Sequence, residues 1–387
     1  MTDPAAPPPP LDPPLGLYVH WPYCARICPY CDFNVALDRR AGEAEALGRA
    51  ILADLQAQAR LIGPRTLVSV FFGGGTPSLA DPSFVAAVIA QARALWPAAP
   101  DLEVTLEANP TDAEAERFAA FAAAGVTRLS LGVQALDDDA LRFLGRNHGA
   151  EEARRAARLA RDRFARLSLD LIYALPGQTP EGWTRTLRAA LALGPEHLSP
   201  YQLTIEAGTA FDRAVRRRAF APAEPDLAAD LYETTQAVLE AEGFGAYEVS
   251  NHARGPGARS RHNLVYWRGE DYLGVGPGAH GRLTVGGGRQ ATRAVAAIPG
   301  YIAAVQRAGH GLEAREAMSA QEAAEERLLM GLRIDEGVAL ADLAALPLDA
   351  LPDLMGAGLL RQDRGRLIAT PAGRLVLDHV TAKLAGA

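Results

Sequence analysis

Cysteine is scarce in this sequence of 387 residues: there are three, and all of them lie between positions 24 and 31. An odd, clustered set argues against a secreted disulfide scaffold, which spreads an even number of cysteines along a short chain. The chain also lacks a run of roughly eighteen uninterrupted apolar residues, so it has no candidate membrane-spanning segment. Residues 1–14 contain seven prolines and no apolar segment, which predicts a disordered tail and no signal peptide.

An excess of positive charge is also missing. Lysine and arginine number 39 against 46 aspartates and glutamates, which gives a net charge of −7, and Lys383 is the only lysine. A protein that binds nucleic acid without sequence preference needs a basic surface to displace counterions, so we expect no nucleic-acid partner. Without an address signal we expect a cytoplasmic protein, and clustered thiols in that reducing compartment indicate a metal site or catalysis.

The sequence does contain a regular alternation of β-rich and amphipathic segments. Six predicted strands cover residues 15–20, 66–72, 102–107, 128–133, 167–173 and 197–203. The predicted helices between them cover 42–61, 82–95, 112–124, 137–144 running on to 163, and 179–193. Strands that alternate with helices at this spacing form βαβ units around a parallel sheet. We therefore predict an α/β fold in which residues 15–205 form a partial (β/α)6 barrel.

Residues with polar or reactive side chains follow the ends of these strands. They are the cysteines after the first strand, residues 73–76 after the second, Glu107 at the end of the third, Gln134 after the fourth, Asp170 in the fifth, and Tyr201 and Gln202 in the sixth. Because the carboxyl ends of the strands of a (β/α) barrel share one face, these side chains are predicted to converge.

The rest of the chain departs from this alternation. Residues 206–310 contain one helix-like segment, 226–242, and a stretch rich in glycine, histidine and aromatic residues, which we interpret as an extension of the barrel. Residues 311–387 offer helices at 321–332, 340–346 and 348–357, a hairpin around Asp363-Arg364-Gly365, and a closing helix that starts at Pro371. This order is typical of a mostly helical, winged-helix-like domain, which we interpret as a packing module because the chain is acidic.

The three cysteines, Cys24, Cys28 and Cys31, have the spacing C-x3-C-x2-C. Pro29 discourages a helix through the motif, so the thiolates are predicted to lie on a loop that wraps one metal centre. Three thiolates suit a cuboidal iron–sulfur cluster that leaves one iron open to a further ligand. The alternative is a zinc ion held by the three cysteines and His20, although structural zinc ligands usually come in two separated pairs.

The segment around the cysteines resembles the signature of the radical S-adenosylmethionine (SAM) superfamily: Tyr18-Val-His-Trp-Pro-Tyr-Cys24-Ala-Arg-Ile-Cys28-Pro-Tyr-Cys31. Later motifs are similar to one branch of that superfamily: Phe72-Gly-Gly-Gly-Thr-Pro, Leu106-Glu-Ala-Asn-Pro, Leu131-Gly-Val-Gln134, Leu144-Gly-Arg146 and Asp170-Leu-Ile-Tyr-Ala-Leu-Pro-Gly-Gln178. The branch contains the oxygen-independent coproporphyrinogen III oxidases and the haem chaperone family HemW. The resemblance runs from about residue 15 to the C-terminus.

The resemblance implies a radical SAM barrel and assigns ligands within it. The three cysteines would hold a [4Fe–4S] cluster whose open iron binds SAM, and an electron from the reduced cluster would split SAM into methionine and a 5′-deoxyadenosyl radical. The residues implied in SAM binding are Tyr18, Tyr30, Gly74, Gly75, Thr76, Glu107, Gln134, Arg146 and Asp170. Glycines allow close approach of the backbone, carboxylates accept from ribose hydroxyls, and arginine pairs with a carboxylate. Core packing would explain the two tyrosines equally well.

Two departures separate this chain from the oxidases. Phe33 stands where the oxidases carry a fourth cysteine, and a short proline tail precedes the first strand where they have a longer segment. Both departures resemble the haem chaperones, as does the segment Arg261-His262-Asn263-Leu264-Val265-Tyr266-Trp267, which matches their H-N-x-x-Y-W motif. Imidazole is a common ligand of haem iron, so His262 is implied as a haem contact; a structural histidine in the core is the alternative.

The favoured function is that of a haem chaperone, which binds haem, a [4Fe–4S] cluster and SAM and delivers haem to apo-haemoproteins, including respiratory proteins at the membrane. An electron donor such as flavodoxin or ferredoxin is the other implied partner. Two alternatives stay open: a coproporphyrinogen III oxidase that decarboxylates two propionates to vinyl groups, and a radical SAM RNA-modifying enzyme, against which the net charge of −7 argues. The expected location is the cytoplasm, peripheral at the membrane only through partners.

Overall fold

The computed structural model describes residues 13–37 and 41–386. Most of the predicted disordered tail, residues 1–12, lies outside this described part. Pro14, which the prediction included in the tail, is the first residue of the first strand. In the described part of the chain, no helix combines the length and the hydropathy that crossing a bilayer requires.

The described residues form an α/β fold. The strands are β1 (Pro14–Trp21), β2 (Tyr23–Cys24), β3 (Ala36–Leu37), β4 (Thr66–Gly74), β5 (Ala98–Ala108), β6 (Arg128–Gln134), β7 (Arg166–Tyr173), β8 (His197–Gln202), β9 (Gly245–Glu248), β10 (Asn251–Ala253), β11 (Asp271–Val275), β12 (His280–Val285), β13 (Gly288–Ala294), β14 (Leu312–Ala317), β15 (Val338–Ala339), β16 (Leu360–Asp363) and β17 (Arg366–Ala369). The helices are α1 (Glu43–Ile62), α2 (Pro82–Leu95), α3 (Asp112–Ala115), α4 (Phe118–Ala123), α5 (Asp138–Phe143), α6 (Ala150–Arg163), α7 (Pro180–Leu191), α8 (Ala210–Arg216), α9 (Pro225–Ala241), α10 (Arg261–Trp267), α11 (Ile298–Ala308), α12 (Ala320–Gly331), α13 (Leu351–Gly356), α14 (Pro371–Leu375) and α15 (Leu377–Ala385). Short 3-10 turns cover Pro77–Leu79, Pro256–Ala258 and Leu340–Leu343.

Each of the six predicted strands is present, and they pair in the parallel order β1-β4-β5-β6-β7-β8. One face of these strands is apolar: Leu17 and Val70 are fully buried in the same core as Leu47 of α1. The other face carries the polar residues that line the inside of the barrel. The prediction of an α/β fold with a partial (β/α)6 barrel is therefore confirmed.

The sheet continues beyond both edges of this barrel, through strands that the sequence did not predict. At one edge β11 pairs in parallel with β1, with Leu15 opposite Asp271, and β12, β13 and β14 follow in antiparallel order. At the other edge β10 and β9 add to β8 in antiparallel fashion. Among the described residues the sheet has twelve strands and reaches Ala317, so it includes the start of the segment 311–387.

The predicted continuous helix from 137 to 163 is wrong, and its interruption shapes the site. Helix α5 ends at Phe143 and α6 begins at Ala150. Gly145, which lies between them, has φ of 67°, and a Cβ atom on it would lie 2.5 Å from Cδ of Pro29. Glycine alone combines this conformation with this close approach, so the break lets the cysteine loop, residues 24–31, pack against the turn that carries Arg146.

Helix α10 forms a floor across the amino-terminal halves of the barrel strands. Ser260 caps it, and Glu103 in β5 accepts from the backbone N–H of Arg261 at 2.9 Å. The same carboxylate pairs at 2.9 Å with Arg128, the first residue of β6. Because Arg128 and Glu103 are both buried, this pair and the start of α10 hold each other in place.

The C-terminal region has a hydrophobic core of its own. Strands β15, β17 and β16 form a three-stranded antiparallel sheet. Leu328, Leu343, Leu367 and Val380 are fully buried together around it. The predicted hairpin is therefore present with helices packed beside it, and an ion pair of 2.6 Å between Arg333 and Glu248 joins this region to the large sheet.

Candidate functional site

A cavity of about 640 Å³ opens at the carboxyl ends of the barrel strands, a size typical of small-molecule sites. The cysteine loop, the ends of the strands β4 to β8 and the turn after α5 form its walls. Of the residues predicted to bind ligands, eleven line it: Cys24, Cys28, Tyr30, Cys31, Gly74, Gly75, Thr76, Glu107, Gln134, Arg146 and Asp170. The fold therefore brings these residues together, whereas Tyr18 and His262 are not among the residues that line the cavity.

The cysteine loop is held by short backbone interactions. Strand β2, which ends at Cys24, pairs with β3, and the N–H of Cys31 donates to the carbonyl of Cys28 at 3.2 Å. All three cysteines are free thiols. Burial raises the pKa of Cys24 to about 11 and also raises the pKa of Cys31, so a metal centre must displace protons when it binds here.

The thiols fit a cluster better than a single ion. Within residues 13–37 and 41–386, no three histidine, cysteine or carboxylate side chains are placed to hold one metal ion. A [4Fe–4S] cluster bonds each thiolate to a different iron, so its ligands need only surround a common space. His20, the fourth ligand of the zinc alternative, has other partners: Nδ1 lies 3.0 Å from the Tyr18 hydroxyl and Nε2 lies 2.8 Å from the Asn34 carbonyl. The arrangement argues against that zinc site.

The glycine run after β4 lies against the start of the cysteine loop. The N–H of Gly75 donates to the carbonyl of Trp21 at 2.7 Å, and the N–H of Thr76 donates to the carbonyl of Tyr23 at 2.9 Å. A Cβ atom on Gly75 would lie 2.5 Å from the carbonyl oxygen of Pro22. Glycine is required for this approach, so the run fixes the position at which the cysteine loop leaves β1.

Two carboxyl groups, Glu107 and Asp170, face the inside of the cavity. Burial, with a smaller effect from the charge of Asp170, raises the pKa of Glu107 to about 8, although Glu107 accepts from the N–H of Gly74 at 3.2 Å. Burial also raises the pKa of Asp170 to about 6, and the hydroxyl of Ser130 donates to it at 3.0 Å. A site that keeps carboxylic acids partly protonated near neutral pH lacks the cation or donors that would stabilise their charge.

Arg146 and Gln134 each leave a buried polar atom without a partner. Arg146 donates to the sulfur of Cys28 at 3.3 Å, to the carbonyl of Gly132 at 2.9 Å and to the side chain of Asn109, but its Nε has no partner among the described residues. The side-chain oxygen of Gln134 also has none, and Gln134 adopts φ of 64°, which strains a residue other than glycine. Unpaired buried atoms and strained backbone at a cavity wall indicate a polar ligand.

The two predicted tyrosine contacts differ. Tyr30 lines the cavity, its hydroxyl lies 3.5 Å from Nη1 of Arg146, and its ring packs on Phe211. Tyr18 lies deeper in the barrel, where its ring stacks with Phe71. Tyr30 can therefore touch a ligand in the cavity, and the position of Tyr18 supports the alternative of core packing.

His262 is a buried residue of the barrel floor. Its Nδ1 lies 2.8 Å from the hydroxyl of Ser69, its Nε2 lies 2.7 Å from that of Tyr266, and its ring stacks on Phe71 with 4.9 Å between centroids. Burial lowers the pKa of His262 to about 3, so the ring is neutral. The structure thus supports the alternative of a core histidine, because the ring is buried and a bond to haem iron would require one of these two hydrogen bonds to break.

Sequence reasoning missed several residues of the cavity. Asn109, which positions Arg146, belongs to the quoted Leu106-Glu-Ala-Asn-Pro motif, so its place at the end of β5 was an available signal. Ile27 and Phe33, which were also missed, line the cavity and are 45% and 62% exposed. Tyr201, expected there from its place in the sixth predicted strand, lines the cavity beside them and is 43% exposed. We call Ile27, Phe33 and Tyr201 the apolar rim; no pattern in the sequence showed that these three side chains would be exposed at one cavity.

Two family models match the chain. A model of the radical SAM superfamily matches residues 18–190, which run from within β1 to within α7. A model of the HemN C-terminal domain matches residues 318–376, which include most of the smaller core. The two matches fall on the two hydrophobic cores.

Proteins related over the whole chain carry chaperone and radical SAM names. The bovine protein named radical S-adenosyl methionine domain-containing protein 1, mitochondrial, is 45% identical over 95% of this chain and 87% of its own. The heme chaperone HemW of Mycobacterium tuberculosis is 38% identical over 96% of this chain and 95% of its own. The solved structure of Escherichia coli coproporphyrinogen III oxidase HemN, a radical SAM enzyme, has a TM-score of 0.80 at 24% identity over 97% of this chain and 90% of that chain, which shows a common fold. The chain therefore belongs to the radical SAM superfamily, in the family that includes the heme chaperone HemW.

Proposed function

We propose that this protein is a haem chaperone, which binds haem next to a [4Fe–4S] cluster and SAM and passes it to apo-haemoproteins. Its family includes proteins named heme chaperone HemW, which supports the proposal. The observation that carries it is the apolar rim, where Phe33 is 62% exposed at the position of the oxidases' fourth cysteine. A flat, largely apolar haem gains free energy by covering such side chains.

The family implies a [4Fe–4S] cluster and SAM, and the cavity has residues that fit both. Cys24, Cys28 and Cys31 would hold the cluster and leave one iron open to SAM. When bound and reduced, the cluster supplies the electron that cleaves the SAM sulfonium. The chain itself keeps the thiols on one loop, half-buried against the cavity wall, where bulk water has restricted access.

The polar atoms left unpaired in the cavity fit the polar groups of SAM. Arg146 would pair with the SAM carboxylate, since its buried Nε lacks a partner among the described residues. Glu107 and Asp170 would accept from ribose hydroxyls, and the ligand's positive charge would favour their ionised forms. Residues 74–76 would offer backbone groups, and Gln134 would offer its unpaired side-chain oxygen.

The chaperone and the oxidase can be separated by one experiment. Protein whose cluster has been reconstituted without oxygen is offered haem and coproporphyrinogen III separately. We expect stoichiometric haem binding, followed by transfer to an apo-haemoprotein, and no conversion of the porphyrinogen. Formation of protoporphyrinogen IX would contradict the chaperone proposal, and zinc without iron in anaerobically purified protein would contradict the cluster.

The apolar rim is tested by Phe33→Ser. We expect haem affinity to fall roughly tenfold, because burying such a side chain is worth about 1.5–3 kcal/mol and serine removes most of that contact. Leu329→Ser is the matched control, since Leu329 is 52% exposed and lies on α12, outside the cavity. Haem is titrated into each anaerobic holoprotein and followed by its absorbance. Equal affinities in both variants and the parent would place haem away from the rim.

The role of His262 is examined in the same titration. With its ring held by Ser69 and Tyr266, we expect His262→Ala to lower thermal stability, because it leaves two buried hydroxyls without partners. Haem stoichiometry in the folded variant should be retained. Loss of haem binding in a variant that keeps its fold and cluster would instead favour an arrangement in which α10 opens and His262 ligates the iron.

A further inference from the structure

A cluster of arginines follows the short helix α8. Arg213, Arg216, Arg217 and Arg218, which we call the arginine patch, fall within six residues, and all four are exposed. The chain as a whole carries a net charge of −7, so the patch is a local positive region on a negatively charged protein. The patch is therefore the kind of local feature to which an acidic partner is steered.

The arginine patch is attached to the cysteine loop. The backbone N–H of Phe211, in the first turn of α8, donates to the carbonyl of Pro29 at 2.9 Å, and Pro29 lies between Cys28 and Cys31. The ring of Phe211 also packs on Tyr30, with 6.2 Å between centroids. Arg216 lies about 7.5 Å further along the helix axis, since an α-helix rises about 1.5 Å per residue. A protein seated on the patch would thus be next to the loop that holds the metal ligands.

Most of the positive charge of the patch is not neutralised within the chain. Arg216 pairs with Asp212 at 2.8 Å, and Arg213 donates to the carbonyl of Gly208 at 2.7 Å. Among the described residues, no carboxylate forms an ion pair with Arg213, Arg217 or Arg218. Asp212, within α8, pairs only with Arg216; the exposed Asp32 beside the cysteine loop and the cavity residue Glu206 before α8 form no ion pair with the patch.

We propose that the arginine patch docks an acidic electron-transfer protein that reduces the cluster. The inference rests on the proposed function, from which it takes the [4Fe–4S] cluster. In the step itself the donor protein, a reduced flavoprotein or ferredoxin, loses one electron and the oxidised cluster gains it. No covalent bond forms or breaks and no proton is transferred to the chain. The patch acts by orienting the donor, because complementary charges raise the encounter rate and select the face that meets.

Two other anionic partners fit the patch less well. Surfaces that bind single-stranded nucleic acid combine basic residues with exposed aromatic rings, on which bases stack. Here the aromatic residues nearest in sequence to the patch are Phe211, which is buried, and Phe220, which is half-buried against it. An anionic lipid surface would contact the patch without any need for the neighbouring metal ligands. The position beside the cysteine loop therefore favours a redox protein, and the lipid surface is one outcome of the test.

The test compares two double variants of the cluster-loaded protein. R217E/R218E reverses the two arginines of the patch whose side chains form no hydrogen bond or ion pair with other described residues. R158E/R163E is the control: it changes the net charge by the same amount at exposed positions of α6. Because α6 runs back from the carboxyl face of the barrel, its C-terminal end lies at the opposite face from the cysteine loop. Flavodoxin, an acidic FMN protein, is the probe.

We expect R217E/R218E to bind flavodoxin roughly tenfold more weakly by calorimetry, and to lose most of the ionic-strength dependence of its reduction by flavodoxin hydroquinone in stopped flow. The control variant should match the parent. Dithionite, which needs no docking surface, should reduce all three clusters alike.

Three results would overturn the inference. They are unchanged flavodoxin binding by R217E/R218E, an equal loss in the control variant, and no binding of flavodoxin by the parent protein. In the first of these cases, loss of binding to phosphatidylglycerol vesicles by R217E/R218E would assign the patch to a membrane surface. The two proposals can fail separately. If flavodoxin binding is lost only in R217E/R218E while the parent protein fails to bind haem, this inference is upheld and only the proposed function is contradicted.

Discussion

Cys28→Ala is expected to abolish assembly of the iron–sulfur cluster. After anaerobic reconstitution the variant should hold little iron or sulfide and should lack the visible absorbance of a cluster. The physical reason is that three thiolates are the whole supply of protein ligands: the chain contains no fourth cysteine to replace the missing one. Two thiolates leave two irons exposed to water, and a cluster held in this way is lost.

The control for this variant is Asp32→Asn, which alters an exposed side chain of the same loop region and leaves the three thiols in place. It should assemble the full cluster. Thiol titration of the unfolded proteins confirms that one thiol has been removed from Cys28→Ala and none from the control. A Cys28→Ala protein that keeps a normal iron and sulfide content would show that these cysteines are not the ligands.

Glu107→Gln is expected to raise the stability of the ligand-free protein in mildly alkaline solution. In the folded protein the pKa of Glu107 is about 8, against an ordinary value of 4.5. The folded state therefore holds a proton that the unfolded chain has released across this interval. The stability that the neutral carboxyl contributes is complete below pH 4.5 and is lost as the pH rises to 8. Glutamine stays neutral, so the variant should escape this loss, which we put at about 2–4 kcal/mol at pH 8.

The measurement is urea unfolding of metal-free protein at several pH values between 5 and 8. This interval lies between the ordinary pKa of a glutamate, 4.5, and the raised pKa of Glu107, about 8. Glu107→Gln and the parent should have similar free energies of unfolding at the acidic end and diverge as the pH rises. The matched control, Glu116→Gln, removes an exposed carboxylate and should follow the parent. Parallel curves for Glu107→Gln and the parent would show that Glu107 titrates normally.

The same substitution should weaken SAM binding to the cluster-loaded protein. A hydrogen bond from a ligand to a charged acceptor is worth about 1.5–3 kcal/mol, so replacing the carboxylate with an amide should cost roughly tenfold or more in affinity. Glutamine can still accept from the N–H of Gly74, which keeps the cavity wall in place. Calorimetric titration with SAM checks this, and unchanged affinity would remove Glu107 from the SAM site.

Glu107→Gln is thus expected to raise stability and to weaken SAM binding. These opposite effects indicate a binding site that lowers the stability of the ligand-free protein. The raised pKa of Glu107, the strained backbone of Gln134 and the unpaired Nε of Arg146 are all unfavourable in the ligand-free protein. In the proposed SAM complex, we expect the positive charge of the ligand to stabilise the ionised form of Glu107 and the carboxylate of the ligand to pair with Arg146. Strain and desolvation of this kind accumulate where a protein binds, since packing alone would remove them.

Local patterns in the sequence were sufficient to predict the six barrel strands and the loop that carries the three cysteines. Alternating β-rich and amphipathic segments identified all six barrel strands, because burial of one face imposes a period that a single segment displays. The cysteine spacing identified the loop for a similar reason: the three thiols lie within eight residues, so their proximity needs no tertiary contact. The break before α6 was missed, because Gly145 is required there only by the close approach of Pro29 from a distant loop.

The sequence alone predicted the clustered thiols, the barrel and the polar residues at the ends of its strands. It could not separate residues that reach the cavity from those that pack beneath it. Tyr18 and His262 carry the same motif evidence as Tyr30 and Arg146, yet the rings of the first pair stack on each other away from the cavity lining and the second pair lines the cavity. The pKa of Glu107 and the position of the arginine patch beside Pro29 also depend on segments far apart in sequence. Burial, the electrostatic environment of a side chain and contacts between distant segments arise only in the folded chain, so local sequence patterns cannot predict them.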